Sequence, residues 1–168
     1  RKDGAPVGLL HLVPLAAIQS FESMQLADWK QRLALETKSL FYLTKLLADD
    51  LTAAVQGGDA SLVAVTAMGG AYGRAAEAAK EISFFPGSGG ANDFLKTAAL
   101  EIPGLNARAV DLELGEEPQV LAVRIRDEFV TASAHVEVGY RAGRRLVLDV
   151  QYAKIEPGQA PLLDIDSH

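Results

Sequence analysis

The sequence contains no cysteine, which excludes a disulfide framework and any thiolate metal site. That absence is compatible with a cytoplasmic protein. Long apolar runs are missing as well. None approaches the roughly 18 residues a membrane span requires, and no charged-then-apolar signal pattern opens the chain. Basic residues are the minority: 16 Lys and Arg against 22 Asp and Glu, a formal charge of −6. They are scattered, apart from Arg141, Arg144 and Arg145. This is not the basic stripe that nucleic acid or an anionic membrane would require. The three histidines, His11, His135 and His168, have no ligand-like spacing and no accompanying carboxylate cluster. There is no internal repeat and no low-complexity tract. What the chain does have is apolar content, 49% of 168 residues, enough for one domain with a sizeable core. It does not start with Met and it stops abruptly at "LLDIDSH". Both ends read as cuts in something longer.

The remaining residues fall into alternating elements. "VGLLHLV" (Val7 to Val13) is nearly all apolar, which suits a strand buried on both faces, and Pro14 ends it. A long helix is expected from Asp28 to Val55, with Asp28 as N-cap and Gln31 at the third helical position. Leu33, Leu40, Leu47, Leu51 and Val55 mark one face of it. Tyr42, Leu43 and Leu46 widen the apolar surface beyond one stripe, and Gly57-Gly58 supplies the stop. "SLVAVTAM" predicts a second buried strand. After a Gly-rich stretch and a loop with Pro86, a helix is expected from Asp93 to Glu101, stopped by Pro103. Asn106 to Glu113 predicts a third strand. Pro118 opens a helix carrying Val120, Val123, Ile125 and Phe129. "HVEVGYR" and "RRLVLDV" predict paired strands around Ala142-Gly143. From Glu156 the chain reads as a linker, 156–168. Strands alternating with helices imply an α/β domain over 4–155, a doubly wound, mainly parallel sheet with right-handed crossovers.

One segment raises the possibility of a cofactor. A strand runs into Gly69-x-x-x-Gly73-x-Ala75 and then an alanine-rich stretch. Such a turn can present backbone N–H groups to a pyrophosphate. A nucleotide fold, however, needs a full βαβ unit with an acidic residue roughly 20 positions on. Here only "ISFF" and Pro86 follow, and this element does not open the fold. The plainer reading is a tight turn after a buried strand. His11, within an apolar strand, reads as a core or interface histidine. Asp49-Asp50 ends a helix, Asp111 and Glu113 alternate on a strand, and Asp164 and Asp166 lie in the tail. None of these makes an acid/base pair. Ser61, Ser83 and Ser88 lack a nucleophile-elbow context.

Longer stretches carry a family resemblance. "LETKSLFYLTKLLADDL" resembles the central helix of short-chain dehydrogenases. "LVAVTAMGGAYG" resembles their next strand and glycine turn, and "GGANDFLKTAALEIPGLNARAVDLE" their active-site helix and following strand. More specifically, "GLLHLVPL", "LKTAALEIPGLNARAVDLE" and "VEVGYRAGRRLVLDV" together resemble the structural subdomain of ketoreductases in type I polyketide synthases and polyunsaturated fatty acid synthases. The similarity runs from Gly4 to Ile155, and order and spacing carry it more than any single motif. In that family the ketoreductase has two dehydrogenase-like halves in one polypeptide. The first is truncated, Rossmann-like and inactive. The second binds NADPH and reduces the β-keto group of a carrier-bound acyl chain. The resemblance implies that this chain is the first half, beginning at what would be the fourth strand of a full dehydrogenase. It further implies that NADPH and phosphopantetheine belong to a large cytoplasmic parent synthase, and that the partner is the catalytic half in the same polypeptide. Arg141, Arg144 and Arg145 read as a solvated hairpin turn, with a phosphopantetheine phosphate or an acidic carrier domain as the alternative.

Short-chain dehydrogenases work with Asn, Ser, Tyr and Lys, and the resemblance carries these over one at a time. The Asn position falls on Glu36 and the Ser position on Ala67. Anchored on Ala99-Leu100-Glu101, the Tyr and Lys positions fall on Phe84 and Ser88; anchored on Ala91-Asn92, they fall on Asp93 and Thr97. None of the four tyrosines, Tyr42, Tyr72, Tyr140 and Tyr152, has a lysine four residues later. Phe84 has no ionisable hydroxyl and Ala67 no donor, so the chain cannot run this chemistry by this mechanism. Phe84, Phe85 and Phe94 read as core or interface packing. A non-catalytic half bound to a catalytic one is therefore expected, with Trp29, Leu43, Leu46 and Phe94 as interface candidates. The alternatives are a degenerate nucleotide-binding domain using Gly69, Gly73 and Ala75, or a helix-mediated homodimerisation module.

Overall fold

The computed structural model describes residues 8–16, 23–58, 60–74, 84–148 and 152. The domain ends at 4–7, 149–151 and 153–155, the linker 156–168 and Ala75 lie outside the described residues. Five strands form one sheet: β1 (Gly8–His11), β2 (Ser61–Thr66), β3 (Asn106–Leu112), β4 (Glu137–Arg141) and β5 (Arg144–Val147). They lie in sequence order, the first four parallel and β5 antiparallel to β4. Ala142 and Gly143 take positive φ, 46° and 73°, the geometry of a two-residue turn that matches strand twist. The expected α/β class, a mainly parallel sheet flanked by helices, is what forms.

The long helix is broken into pieces. It comprises α1 (Leu26–Leu33), a π-helical turn over Ala34–Lys38, α2 (Ser39–Leu46) and, after a hitch at Leu47, α3 (Ala48–Gln56). Asp28 is not the N-cap. Gln25 takes that position in extended conformation, and the Asp28 carboxylate reaches back to accept from its N–H at 3.2 Å. Leu40 and Leu51 are fully buried against the sheet, while Leu33, Leu47 and Val55 are half-buried. Leu40→Ala and Leu51→Ala should each cost about 2–5 kcal/mol and Leu47→Ala visibly less, as chemical denaturation will show. α4 (Gly89–Glu101) starts four residues before Asp93, on a 3-10 turn at Pro86–Ser88. α5 (Pro118–Val130) has Pro118 in its first turn, as expected. Val120 and Val123 are exposed, and Leu121, Ile125 and Phe129 do the packing.

Two cores result, one on each face of the sheet. On the first, Leu40, Leu51, Leu95 and Ala98 cover Leu62, Ala64, Ala107 and Ala109. On the second, α5 brings Ile125 to Val63, Val65, Val110, Leu112, Val138 and Tyr140. Uniformly right-handed crossovers are therefore not what forms. β1 to β4 step one way across the sheet, and the first two connections run over one face while α5 runs over the other. The third crossover must have the opposite hand. The second face is as apolar as the first, and α5 is the described helix that buries it.

Candidate functional site

Two of the positions that the resemblance singles out, Glu36 and Ser88, meet in the fold. The Glu36 carboxylate sits in the π-helical turn and is buried. Ser88, ending the 3-10 turn before α4, donates its hydroxyl to Glu36 Oε2 at 2.6 Å. Arg32, one turn earlier, donates from Nε to Oε1 at 2.7 Å and forms the ion pair. His11, at the carboxyl end of β1, lies 2.8 Å from the Glu36 carbonyl through Nε2. A carbonyl only accepts, so Nε2 carries the proton and donates. Burial pulls the His11 pKa down, against the opposing pull of that bond and of the Glu36 charge, which favours the neutral ring.

The two segments are locked by packing as well. Phe85 is buried, meets the Trp29 ring edge-on at 4.7 Å and lies under the Arg32 guanidinium at 5.1 Å. A Cβ at Gly87 would come within 2.4 Å of the Phe85 ring and 2.8 Å of Leu33, so a side chain there would force both to shift. Thr37 donates to the Gly87 carbonyl at 3.3 Å. Beside the cluster lies a cleft of about 290 Å³, lined by Val13, Asp28, Gln31, Arg32, Leu35 and Glu36.

The structure thus joins Glu36 and Ser88, which sequence reasoning placed in the site separately. Ala67 is buried, and Phe84 is half-buried with its ring against Gly73. In the other register, Asp93 and Thr97 are exposed on α4. Asp93 pairs with Lys96 at 2.8 Å, and Thr97 bonds back to the Asp93 carbonyl at 3.1 Å. Of the interface candidates, Leu43 and Leu46 are exposed. Phe94 is half-buried, 5.9 Å from the Phe41 ring, and Trp29 is half-buried against Phe85.

The glycine turn has its own internal partner. Asp111, at the end of β3, is fully buried and turned into it. Its Oδ1 accepts from the Met68 N–H at 2.6 Å and the Thr66 hydroxyl at 2.8 Å, and its Oδ2 from the Tyr72 N–H at 2.8 Å. Burial pushes the Asp111 carboxyl up, and hydrogen bonds from Met68, Tyr72, Thr66 and Gly70 pull the other way. The Tyr72 hydroxyl meets the Ala109 and Val138 carbonyls at 2.7 and 2.9 Å. Burial, with the charges of Asp111 and Glu137, raises its pKa far above the ordinary tyrosine value.

A second buried charge cluster, under α5, was not foreseen. Arg108 on β3 is fully buried. It donates to the His135 and Thr131 carbonyls and, at 2.6 Å, to Asn106 Oδ1. Its Nε lies 3.5 Å from the buried Glu128 carboxylate. Glu128 also accepts from the Tyr140 hydroxyl at 2.7 Å and from Arg145 at 2.6 and 3.1 Å. Burial, then the bond to Glu128, pushes the Tyr140 hydroxyl up to about 12. Arg145 is thus committed to Glu128 rather than to a solvated turn. Arg141 faces Glu113 at 3.7 Å, and Arg144 is exposed. The sequence signal was available: an arginine centred in an apolar strand requires a buried partner.

Fold and site define a Rossmann-like α/β domain. No family model matches the chain, and no curated protein matches it. Among solved structures it is similar to an oxidoreductase of the short-chain dehydrogenase/reductase family from Burkholderia thailandensis. The identity is 18% and the TM-score 0.47, over 73% of this chain and 46% of that one. The chain spans about half the length of that structure. Among the described residues, no helix is long and apolar enough to cross a membrane.

Proposed function

We propose that this chain is the non-catalytic structural half of a ketoreductase in a type I polyketide or fatty acid synthase. It supports an NADPH-dependent catalytic half that reduces carrier-bound β-ketoacyl chains. The bond between Glu36 and Ser88 carries this reading. In the register anchored on Ala99-Leu100-Glu101, two positions that the resemblance assigns to catalysis hold a carboxylate and a hydroxyl bonded to each other at 2.6 Å and buried. A third holds Ala67, and a fourth holds Phe84, whose ring has no proton to give. Such a cluster braces the long helix against α4 and keeps the element's shape without its chemistry. Its service to the catalytic half is mechanical, through the outer faces of those helices. NADPH and the phosphopantetheine arm act on the partner half, and the parent works in the cytoplasm.

The rival reading, nucleotide binding at Gly69 and Gly73, needs free N–H groups at that turn. Those of Met68 and Tyr72 are bonded to Asp111. The deciding measurement is calorimetric titration of the purified chain with NADPH, beside an assay of β-ketoacyl thioester reduction. No saturable binding and no reduction are expected. Saturable binding would transfer the assignment to the nucleotide-binding alternative. Reduction by this chain alone would overturn both.

A further inference from the structure

The glycine turn after β2 is shaped around a negative charge. Its backbone takes positive φ at Gly69, Gly70, Tyr72 and Gly73, 85°, 73°, 55° and 70°. Tyr72 holds this conformation although it is not glycine. The curl aims the Met68 and Tyr72 N–H groups inward, and backbone concavities of this kind bind anions. At their focus lies the Asp111 carboxylate, accepting from the Met68 and Tyr72 N–H groups and from the Thr66 hydroxyl. Every one of these donors is neutral. Among the described residues no Lys, Arg or His forms an ion pair with Asp111. A fully buried carboxylate usually has a cationic partner; here the turn's dipoles take that role.

The turn is packed directly against β4. A Cβ on Gly70 would come within 2.1 Å of the Tyr140 carbonyl, and one on Gly139 within 2.0 Å of the Gly70 carbonyl. Turn and β4 are therefore in backbone contact, and the turn is fixed from behind. Its outer side reaches the surface, with Ala71, Tyr72 and Gly73 half-buried and Arg74 exposed.

We infer that the turn from Thr66 to Gly73 is an oxyanion-binding nest that the chain keeps filled with its own Asp111. The ligand class follows from the occupant. The side chain of aspartate is an acetate unit, so Asp111→Gly vacates the volume of one acetate, and Asp111→Ala that of one formate. The inference stands independently of the function proposed above, because it concerns only which charge the turn holds.

The test is chemical rescue, read as a melting temperature. Asp111→Gly should lower the Tm by at least about 10 °C, since several buried donors lose their acceptor at once. Sodium acetate should return at least half of that loss in a saturable manner. Sodium chloride at equal ionic strength, and acetamide, the neutral isostere, should not. Asp111→Ala should respond in the same way to formate. Acetate should leave the unsubstituted protein unmoved. If either variant does not fold in chloride, the readout becomes circular dichroism, with folding expected in the matching carboxylate and not without it. Equal behaviour in acetate and chloride, or acetamide acting as well as acetate, would overturn the inference. So would failure of the carboxylate to fold an otherwise unfolded variant.

Discussion

Glu128→Ala is expected to cost about 3–5 kcal/mol, the range for breaking a buried ion pair from one side. A domain of this kind has roughly 5–15 kcal/mol in total, so the variant should be marginal or unfolded at room temperature. The reason lies in what remains. Arg108 is fully buried, and Glu128 is the carboxylate beside it. Burial pulls the Arg108 pKa down; the Glu128 charge opposes this, while the nearby Arg145 charge adds to the depression. Without Glu128 two guanidiniums face each other and the Tyr140 hydroxyl loses its acceptor. Arg145→Ala is the control. Its side chain is partly exposed, and Glu128 keeps the Tyr140 hydroxyl and the Arg108 charge, so a smaller loss than that of Glu128→Ala is expected. The pair also has a pH signature. Burial pushes the Glu128 carboxyl up, but hydrogen bonds from Arg145 and Tyr140, with the Arg145 and Arg108 charges, hold it below its ordinary value of 4.5. A depressed folded-state pKa stabilises fully above that ordinary value and is lost as pH falls through the folded one. Acid unfolding monitored by tryptophan fluorescence should therefore be steeper in the unsubstituted protein than in a folded Glu128→Gln variant. Equal acid limbs would mean that the carboxylate is not held by charge.

How much of this could be read in advance depended on the range over which each feature is decided. β2 and β3 were legible because a strand buried on both faces must be apolar at consecutive positions, as "LVAV" and "AVDL" nearly are. The long helix was legible from the Leu40 and Leu51 stripe, but its π-helical turn was not. That turn is fixed by groups 50 and 52 residues away, Gly87 accepting from Thr37 and Ser88 donating to Glu36. The start of α4 was misplaced because Gly89-Gly90 lowers helix propensity. The Thr37 side chain packs so close to Gly90 that a Cβ there would lie 3.0 Å away. Asp111 and Glu113 read only as alternating strand residues that make no acid/base pair, and their separate partners lie far along the chain: Asp111 fills the turn, and Glu113 accepts from the Ala142 N–H at 2.7 Å. The hand of the third crossover was invisible for the same reason as the Arg108 cluster. Both are settled by which face of the sheet α5 covers.

Purified alone, the chain is expected to self-associate through the outer face of its helices, and Leu46→Glu is expected to abolish this without lowering the melting temperature. Leu46 on α2 is 79% exposed and Leu100 on α4 is 82% exposed. Leu35, Phe41, Tyr42 and Leu43 are exposed on the long helix, and the Phe41 ring bridges to Phe94 on α4 at 5.9 Å. A patch of this character usually marks an interface. In the proposed parent the catalytic half would cover it; in the isolated chain a second copy would be the available substitute. Two-fold pairing uses each residue twice. A lost leucine contact worth about 1.5–3 kcal/mol then counts as roughly 3–6 kcal/mol per dimer, a weakening of at least about 100-fold. Leu43→Glu should act in the same direction, with some loss of stability because Leu43 is the less exposed of the two. Sedimentation equilibrium over a wide concentration range reads the outcome directly. A chain that stays monomeric at the highest concentration would remove this face as a homodimer interface. A dimer indifferent to both substitutions would place the contact elsewhere on the molecule.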